Sequence, residues 1–522
     1  MLVQQPVSSR WLWLLFLGAV VLLFSSLGKM PLWIYDEVRN AECAREMWER
    51  KDWIVPTFNG ELRNLKPPLH YYFMAGGFQL FGLNEWGARF FSAVFGVLTI
   101  LLNYYFVARY SSRRHAFISC CVLLVSTHFL FQMRMSVPDP YLIFLNAASL
   151  FTGYAYFKEK RFQWLLLCAV SLGLGTLAKG PVAIALPSLS LLVWLIWQKQ
   201  WKLLFHWHMA VAAVLTLVIA VPWYVAVHNA TDGAWTRGFF LEHNLGRFSE
   251  PMEGHGGLFI IVPRFVLLGL LPASIFIGES LRHFKQRFSD PFLCLAFCVM
   301  AVYIIFYSIS GTKLPNYPTP CYPFVAIVLG YYINMGFSKS LPLRRYPFYI
   351  LLVINLALPI GLYFGIKNEV ELHGFEAHAL LMLILTAAAV VSLLLFLKRG
   401  FQQAMLSLLF FYTVFNLVFF NYLYPTLYQN NPLSKTINIV RKYDNVVAYK
   451  IFQPAFTFYV PHRIPVFDQP DSLNAYLQNH EALVILREAA VPELQSLGLQ
   501  QLAAHHDLFE RHTTVLLTNA KK

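Results

Sequence analysis

Charged residues are scarce in this chain. Only 13% of its 522 residues are Asp, Glu, Lys or Arg, whereas 57% are hydrophobic. An ordinary soluble domain carries about 25% charged residues. With a mean hydropathy of +0.51, the composition excludes a soluble multidomain enzyme and predicts a protein that crosses a membrane many times.

Cysteine is also sparse, and the positions of the cysteines indicate that they pack in the apolar interior. Five of the seven cysteines fall inside apolar segments, where a thiol behaves as a small hydrophobic group. Cys294 and Cys298 lie one helical turn apart, but the sequence places no His or further Cys nearby to complete a metal site. Cys43 and Cys321 are expected near the same membrane face, which leaves a disulfide open without a pattern that favours it.

Basic residues outnumber acidic ones, 41 to 27, for a net charge of +14. In a soluble protein this excess would suggest a nucleic-acid partner. Here most of it lies in short connections between apolar segments, so membrane topology and contact with anionic lipid explain it, and we expect no nucleic-acid partner.

Apolar segments long enough to form spanning helices recur along the chain. A span needs about 20 mostly apolar residues. Thirteen candidates lie near residues 11–27, 87–108, 115–131, 138–157, 162–178, 181–198, 209–227, 257–279, 290–309, 321–337, 346–366, 378–397 and 402–424. Because so many spans follow, the first is predicted to be an uncleaved anchor and not a signal peptide.

The basic residues test this arrangement. If the N-terminus is inside, six short inside connections carry sixteen Lys and Arg residues, whereas the short outside connections carry one each: Arg134, Lys179, Lys313 and Lys367. This asymmetry follows the positive-inside rule and predicts a cytoplasmic N-terminus and an outside C-terminus.

Three longer segments fall outside: 28–86, 228–256 and 425–522. In the first, Glu37–Arg50 has helical spacing of apolar residues and predicts an amphipathic helix on the membrane surface. In the last, five runs predict strands at Val446–Lys450, Thr457–Val460, Ile464–Phe467, Leu483–Arg487 and Thr514–Thr518, with helices at Ser472–Gln478 and Val491–Leu497. We therefore expect a transmembrane domain over 1–424, including the outer loop 28–86, and a small α/β domain over 425–522. No internal repeat is evident, which weakens an inverted-repeat transporter interpretation.

Ionisable residues cluster in these outside connections. They are Asp36, Glu37, Arg39, Lys66 before Pro67–Pro68, Asp139 between two prolines, Lys179, His243, Arg247 and Lys313 in Lys-Leu-Pro-Asn-Tyr317. Ionisable groups at membrane depth usually face a cavity or one another. Carboxylates and cations at one interface suit a negatively charged, lipid-linked substrate, with cations on a phosphate and a carboxylate acting on the transferred group.

Each of these residues also has a structural explanation. Asp36 could compensate a helix dipole, Asp139 could cap its helix, and Lys66 could extend to the headgroups. Lys179 more simply anchors a tight helical hairpin, and a basic loop that contains His243 and Arg247 could contact anionic lipid. Because all of these residues are expected on the same face of the membrane, the functional interpretation is favoured over the separate structural explanations.

In this order, these residues resemble the membrane glycosyltransferases that use polyprenyl-phosphate sugars, in particular the bacterial aminoarabinose lipid A transferases, which share the GT-C fold with protein O-mannosyltransferases. The resemblance runs from Trp33 to about Tyr322. It rests on Asp36-Glu37, Lys51-Asp-Trp-Ile-Val-Pro56, Asn59-Gly60, Lys66-Pro-Pro68, Asn84-Glu-Trp86, Pro138-Asp139, Ala178-Lys-Gly-Pro181, Gly246-Arg-Phe248 and Lys313-Leu-Pro-Asn-Tyr317.

The resemblance implies an undecaprenyl-phosphate sugar donor, a lipid A or other envelope acceptor, and a location in the bacterial inner membrane with a periplasmic active site. It implies catalytic carboxylates at Asp36 and Asp139, and a phosphate site that includes Arg39, Lys66 and Tyr317, with Glu37, His243, Arg247 and Lys313 as further substrate contacts. Leu65 stands where many relatives carry an acidic residue before the Lys-Pro-Pro lysine, so the resemblance does not assign a divalent metal to this site and we commit to none.

Other functions stay open on the sequence alone. A protein acceptor would make the chain a protein O-mannosyltransferase-like enzyme. A lipid flippase or transporter would also need many spans and cationic outer loops, but the polar residues cluster at one face and do not follow a path through the bilayer.

Overall fold

The computed structural model describes residues 9–246, 256–284, 289–338 and 341–520 as a helical bundle capped by a small sheet. The helices are α1 Ser9–Phe24, α2 Tyr35–Arg50, α3 Leu69–Phe81, α4 Glu85–Tyr110, α5 Arg113–Val125, α6 Thr127–Gln132, α7 Asp139–Glu159, α8 Phe162–Lys179, α9 Val182–Trp197, α10 Trp207–Ala230, α11 Ala234–Arg237, α12 Ile261–Gly269, α13 Ile277–Phe284, α14 Pro291–Ile309, α15 Tyr322–Phe337, α16 Tyr346–Lys367, α17 Leu383–Lys398, α18 Phe401–Val418, α19 Tyr424–Tyr428, α20 Pro432–Val440 and α21 Pro470–Leu477. The strands are β1 Thr57–Phe58, β2 Glu61–Leu62, β3 Val446–Tyr449, β4 Val466–Phe467, β5 Leu483–Arg487, β6 Gln500–His506 and β7 Thr513–Thr518.

Every predicted apolar segment contains helix, but not every helix is long and apolar enough to count as a span. Within the described residues, eight helices meet that requirement, or nine if the bent pair Ile261–Gly269 and Ala273–His283 forms one span. The chain bends by 118° between the two helices of that pair. Helices α1 and α9 have 16 residues each, and α5 has 13 residues and ends just before Ser126. The number thirteen stays a prediction.

The five-stranded sheet has the order β4-β3-β5-β7-β6, with β3 parallel to β4 and β5 and with β7 antiparallel to both its neighbours. Alternate residues of a strand point to opposite faces. Val446, Ala448 and Ile485 pack on one side together with α2 and α3, whereas Val447 and Val484 pack on the other side against α21 and the 3₁₀ turns Glu488–Leu497. Both faces of the central strands are therefore buried, which explains why their sequences are continuous apolar runs.

Two details of the predicted α/β domain are wrong. Residues 457–460 do not form a strand: Pro454–Tyr459 is a 3₁₀ helix, which Gln453 caps by accepting the N–H of Ala455. The edge strand β6 is absent from the prediction, because Gln500–His506 is only half-buried and carries no apolar run.

Helix α2 does not lie on an open membrane surface. Nine of its 16 residues are buried, including the polar Glu42 and Arg45. Arg45 donates to the carbonyl oxygen of Val460 at 2.8 Å, and Asn59 in the same outer loop exchanges two hydrogen bonds with the backbone of Ile464, both 2.9 Å. The outer loop is thus packed between the helical bundle and the sheet, and the polar face of α2 contacts protein.

We expect the substitution Asn59→Gly to loosen this contact. Asn59 has a positive φ of 52°, which glycine adopts freely, so the change removes the side chain without backbone strain. It leaves the N–H and the carbonyl oxygen of Ile464 unpaired, at a cost of about 1–3 kcal/mol for each buried group. Thermal unfolding in detergent should begin at lower temperature, and limited proteolysis should cut near 453–464. The exposed residue change Gln478→Ala serves as control, and equal melting of Asn59→Gly and the native protein would contradict the assignment.

The packing of Glu42 predicts a pH dependence of stability. Burial raises the pKa of Glu42 to about 8, against the opposing attraction of Arg45 at 2.6 Å. Because the folded state then binds the proton more tightly than the unfolded state does, this contribution to stability is full at low pH and is lost as the pH rises through about 8. The unfolding temperature should fall between about pH 5 and pH 9. Glu42→Gln should flatten that slope, whereas Glu49→Gln, an exposed change on the same helix, should leave it intact; an unchanged slope in Glu42→Gln would disprove this origin.

Candidate active site

The first turn of α2 presents two adjacent carboxylates to different surroundings. Successive helical residues lie about 100° apart, so Asp36 is exposed while Glu37 is only 1% exposed. Both carboxylates favour the positive end of the helix dipole. The exposed Asp36 is therefore the one placed to meet a substrate.

Glu37 is held by Arg89 of α4 in a buried, two-pronged ion pair. Arg89 Nε lies 2.7 Å from Glu37 Oε1 and Nη2 lies 2.8 Å from Oε2. Oε1 also accepts the backbone N–H of Ser136 at 2.9 Å. Arg89 further donates to the carbonyl oxygens of Leu27 and Met30. With these bonds the Glu37 carboxylate is occupied by protein, which argues against the predicted contact with substrate and favours a positioning role.

Asp139 begins α7 and is 3% exposed. Lys179, the last residue of α8, places Nζ 2.6 Å from Asp139 Oδ1, and Asn316 Nδ2 donates to the same oxygen at 3.3 Å. Gly180 makes this end of α8 possible: its φ is 91°, and a Cβ there would lie 2.6 Å from the ring of Phe239. Lys179 therefore contacts a predicted catalytic residue, which the hairpin interpretation did not foresee.

Tyr317 joins the same cluster. Its ring centroid lies 5.4 Å from Lys179 Nζ, within the range of a cation–π contact, and 5.3 Å from the ring of Tyr307. Lys313, four residues earlier, is buried and donates to the carbonyl oxygen of Ser310 at 2.6 Å. The structure thus brings Tyr317 next to Asp139, whereas Lys313 fastens its own loop.

Lys66 is half-buried and precedes Pro67–Pro68, directly after which α3 begins. One turn further on, His70 is fully buried, and its pKa lies well below the usual value because of burial and then because of the nearby charges of Lys66 and Arg63, with Lys179 adding to them. His70 is therefore neutral. Because the charges of both Lys66 and Lys179 lower the pKa of His70, the two lysines lie in the same region of the structure.

Asp36 belongs to this region as well. Its charge acts on Arg63, which donates to Asn40 at 3.1 Å. Arg39, one turn along α2, places its guanidinium carbon 5.4 Å from the ring centroid of Tyr35. Asp36, Arg63, Lys66, His70, Lys179, Asp139 and Tyr317 are therefore linked by direct contacts or by electrostatic interaction, and we refer to them as the outer polar cluster.

The second long outer loop contacts the chain segment just before Lys66. Trp235 donates its indole N–H to the carbonyl oxygen of Arg63 at 2.9 Å, and Gly238 packs directly on the side chain of Asn64. His243 follows in the π-helical segment Gly238–Gly246 and is half-buried. Arg247 lies outside the described residues.

Four contributors were not singled out from the sequence: Arg63, His70, Arg89 and Asn316. Arg63 and His70 flank the Lys-Pro-Pro motif, and Asn316 lies inside the Lys-Leu-Pro-Asn-Tyr motif, so motif proximity could have indicated them. Arg89 carries one local signal, because it is a charge at the third residue of a predicted span. In the ranges that the structure describes, no three His, Cys, Asp or Glu residues lie together as a metal site would require.

Comparisons with known proteins identify the family and the fold of the chain. The family model for dolichyl-phosphate-mannose-protein mannosyltransferase matches residues 13–236. The chain is 32% identical over 330 residues to the undecaprenyl phosphate-alpha-4-amino-4-deoxy-L-arabinose arabinosyl transferase of Shewanella sediminis, which covers 61% of this chain and 59% of that protein. It is 30% identical over 388 residues to the protein of the same name from Pseudomonas paraeruginosa, covering 72% of this chain and 70% of the relative.

The fold comparison extends over the whole chain. The crystal structure of ArnT from Cupriavidus metallidurans bound to undecaprenyl phosphate superposes with a TM-score of 0.81, at 22% identity and with 99% of both chains covered. The GT-C fold expected from the sequence is confirmed, including the C-terminal sheet. The chain is a membrane glycosyltransferase and belongs to the family of the undecaprenyl phosphate-alpha-4-amino-4-deoxy-L-arabinose arabinosyl transferases.

Proposed function

We propose that this protein transfers one aminoarabinose residue from undecaprenyl phosphate to lipid A at the periplasmic face of the bacterial inner membrane. The observation that carries the proposal is the outer polar cluster, in which Asp139 is paired with Lys179 beside Tyr317 while Asp36 stays exposed. The names of the relatives supply the sugar and the polyprenyl carrier.

The cations of the cluster, together with Arg39 one turn along α2 from Asp36, suit a lipid phosphate. Lys66 and Arg39 are half-buried, so a phosphate next to them would be only partly hydrated and charge-assisted hydrogen bonds would be strong. The same groups stabilise negative charge as the bond between the sugar and the phosphate breaks. In this proposal the polyprenyl tail lies between helices, with Tyr317, His243 and Arg247 as further contacts to the donor head.

Asp36 acts on the acceptor. An acceptor oxygen attacks the anomeric carbon from the face opposite the leaving phosphate, the bond to undecaprenyl phosphate breaks, and its electron pair remains on the phosphate, so the configuration inverts. If the acceptor is a hydroxyl group, Asp36 takes its proton. A lipid A phosphate is already anionic and needs no strong base, so Asp36 then orients the acceptor or the amino group of the sugar.

Asp139 and Lys179 act as a pair in this mechanism. Asp139 holds the Lys179 ammonium 2.6 Å away and beside Tyr317, which directs its remaining N–H groups into the cluster. Asp139 is thus proposed to position the cation and the sugar; Lys313 and Glu37 fasten the two loops that surround them.

The proposed orientation follows from the charges. Asp139 begins α7 and Lys179 ends α8, and the connection at the opposite ends of these two helices carries Lys158, Lys160 and Arg161. With the positive-inside rule, the cluster and the C-terminal domain would be periplasmic and the N-terminus cytoplasmic.

A protein acceptor is the second candidate, because the matching family model is that of protein mannosyltransferases. One assay separates the two. Purified protein receives radiolabelled undecaprenyl-phosphate sugars one at a time, together with lipid A or with envelope protein. Label on lipid A from the aminoarabinose donor supports the proposal. Label on protein favours the second candidate, and absence of donor consumption with every sugar contradicts both.

We expect Asp36→Asn to lower the transfer rate at saturating substrates by at least about 100-fold, the usual contribution of a positioned acid or base. The protein should fold normally, since Asp36 is exposed. Asp52→Asn is the matched control: Asp52 is a half-buried carboxylate of the same loop, and asparagine retains the oxygen that accepts the N–H groups of Ile54 and Val55. Transfer by Asp36→Asn at the rate of this control would remove Asp36 from the mechanism.

Lys66→Ala should raise the donor KM by roughly 10- to 100-fold, the worth of one hydrogen bond to a charged group. The acceptor KM should change little. Lys51→Asn removes an exposed cation of the same loop and tolerates the positive φ of 55° found there, so it controls for general electrostatics. If both variants change the donor KM equally, Lys66 does not contact the phosphate.

A further inference from the structure

A cavity of about 380 Å³ lies away from the outer polar cluster and is bounded by α1, α5, α15, α18 and the turn Ala273–Phe276. Its wall is mainly aliphatic and aromatic, and the lining side chains include Phe117, Val122, Phe276, Ile333, Met405 and Leu409. An apolar cavity of about 150 Å³ already holds benzene, so this one has room for roughly fifteen carbon atoms. We call it the α5 cavity.

The α5 cavity lies at the end of the bundle opposite the cluster. Helix α4 runs from Arg89 near the cluster to Tyr110, about 32 Å at about 1.5 Å per residue. Arg114 follows at the start of α5 and lines the cavity together with Gln402 at the start of α18. Nearby connections carry Lys398 and Arg399, so the cavity lies at a cation-rich end of the bundle.

Arg114 is the charged side chain among the described residues that line this cavity. Its guanidinium carbon lies 5.3 Å from the ring centroid of Phe337. Within the described part of the chain it forms no ion pair with a carboxylate, whereas the neighbouring Arg109 pairs with Glu159 at 2.8 Å. A half-buried guanidinium next to an apolar cavity fits a ligand with an anionic head and a hydrocarbon chain.

We propose that the α5 cavity binds one acyl chain of an anionic glycerophospholipid, whose headgroup phosphate is held by Arg114. Lipid chains are as apolar as the cavity wall, so chain burial gives little preference over bulk bilayer. Selectivity therefore depends on the charge-assisted contact between Arg114 and the headgroup. Phosphatidylcholine carries the same phosphate, but its own ammonium group offsets that charge, so a lipid with a net negative headgroup is preferred. Anionic lipids are the expected occupants at a cation-rich membrane face.

The test is native mass spectrometry of the full chain in mild detergent, titrated with phosphatidylglycerol or phosphatidylcholine of identical chains. One phosphatidylglycerol should remain bound where phosphatidylcholine does not. Arg114→Gln should weaken this binding by about 10-fold, the worth of one charged contact. Arg113→Gln, the exposed neighbour that does not line the cavity, should stay within about twofold, on the same scale.

A second pair of variants tests the cavity itself. Cys121→Phe fills it from a half-buried lining position and should abolish the bound lipid, whereas Leu101→Phe on the exposed face of α4 should not. Melting curves of both variants confirm that they are folded. Equal loss in the two arginine variants, equal binding of the two lipids, retention of lipid in Cys121→Phe, or displacement of the lipid by undecaprenyl phosphate would each overturn the proposal.

Discussion

The buried ion pair between Glu37 and Arg89 is the interaction on which the geometry of the site depends. It joins the loop after α1, the first turn of α2, α4 and the turn before α7, since Arg89 also holds the carbonyl oxygens of Leu27 and Met30 and Glu37 holds the backbone of Ser136. A buried pair with one partner removed is destabilising by about 3–5 kcal/mol. The hydrogen bonds around this pair satisfy both groups, so the low-dielectric surroundings strengthen it and fix the two loops that carry Asp36 and Asp139.

The C-terminal domain completes the site without contributing a residue to the outer polar cluster. Its segment 454–464 covers the face of α2 that turns away from the bundle, and Arg487 reaches Tyr35 next to Asp36 with a hydrogen bond of 3.0 Å. The amphipathic α2 therefore has protein on both sides. This explains why a helix with a charged face is mostly buried, and why the sheet presents apolar residues on both of its faces.

The sequence predicted the helical segments, the outer loops and the position of most strands, because each depends on local hydropathy and periodicity. It also singled out Lys66 and Asp139 as charges beside prolines and Asp36 as a carboxylate just after the first span, whereas Tyr317 was expected from the family resemblance alone. Their partners depend on tertiary contacts between residues that are far apart in the chain. The pair of Asp139 with Lys179 spans 40 residues and that of Glu37 with Arg89 spans 52, so no local pattern could reveal either.

The ion pairs Glu37–Arg89 and Asp139–Lys179 also determine the net charge of the site that an anionic lipid would contact. A phosphate approaching this end of the bundle would be repelled by free carboxylates, but Glu37 and Asp139 each have a cation of their own at 2.7 Å and 2.6 Å. His70, neutral through burial, adds no charge. The balance then lies between Asp36 and the cations Arg39, Arg63 and Lys66, which leaves the site net positive. In the proposed mechanism such a site would attract a lipid phosphate and keep the exposed Asp36 for the acceptor, because Glu37 and Asp139 are each paired with a cation within the fold.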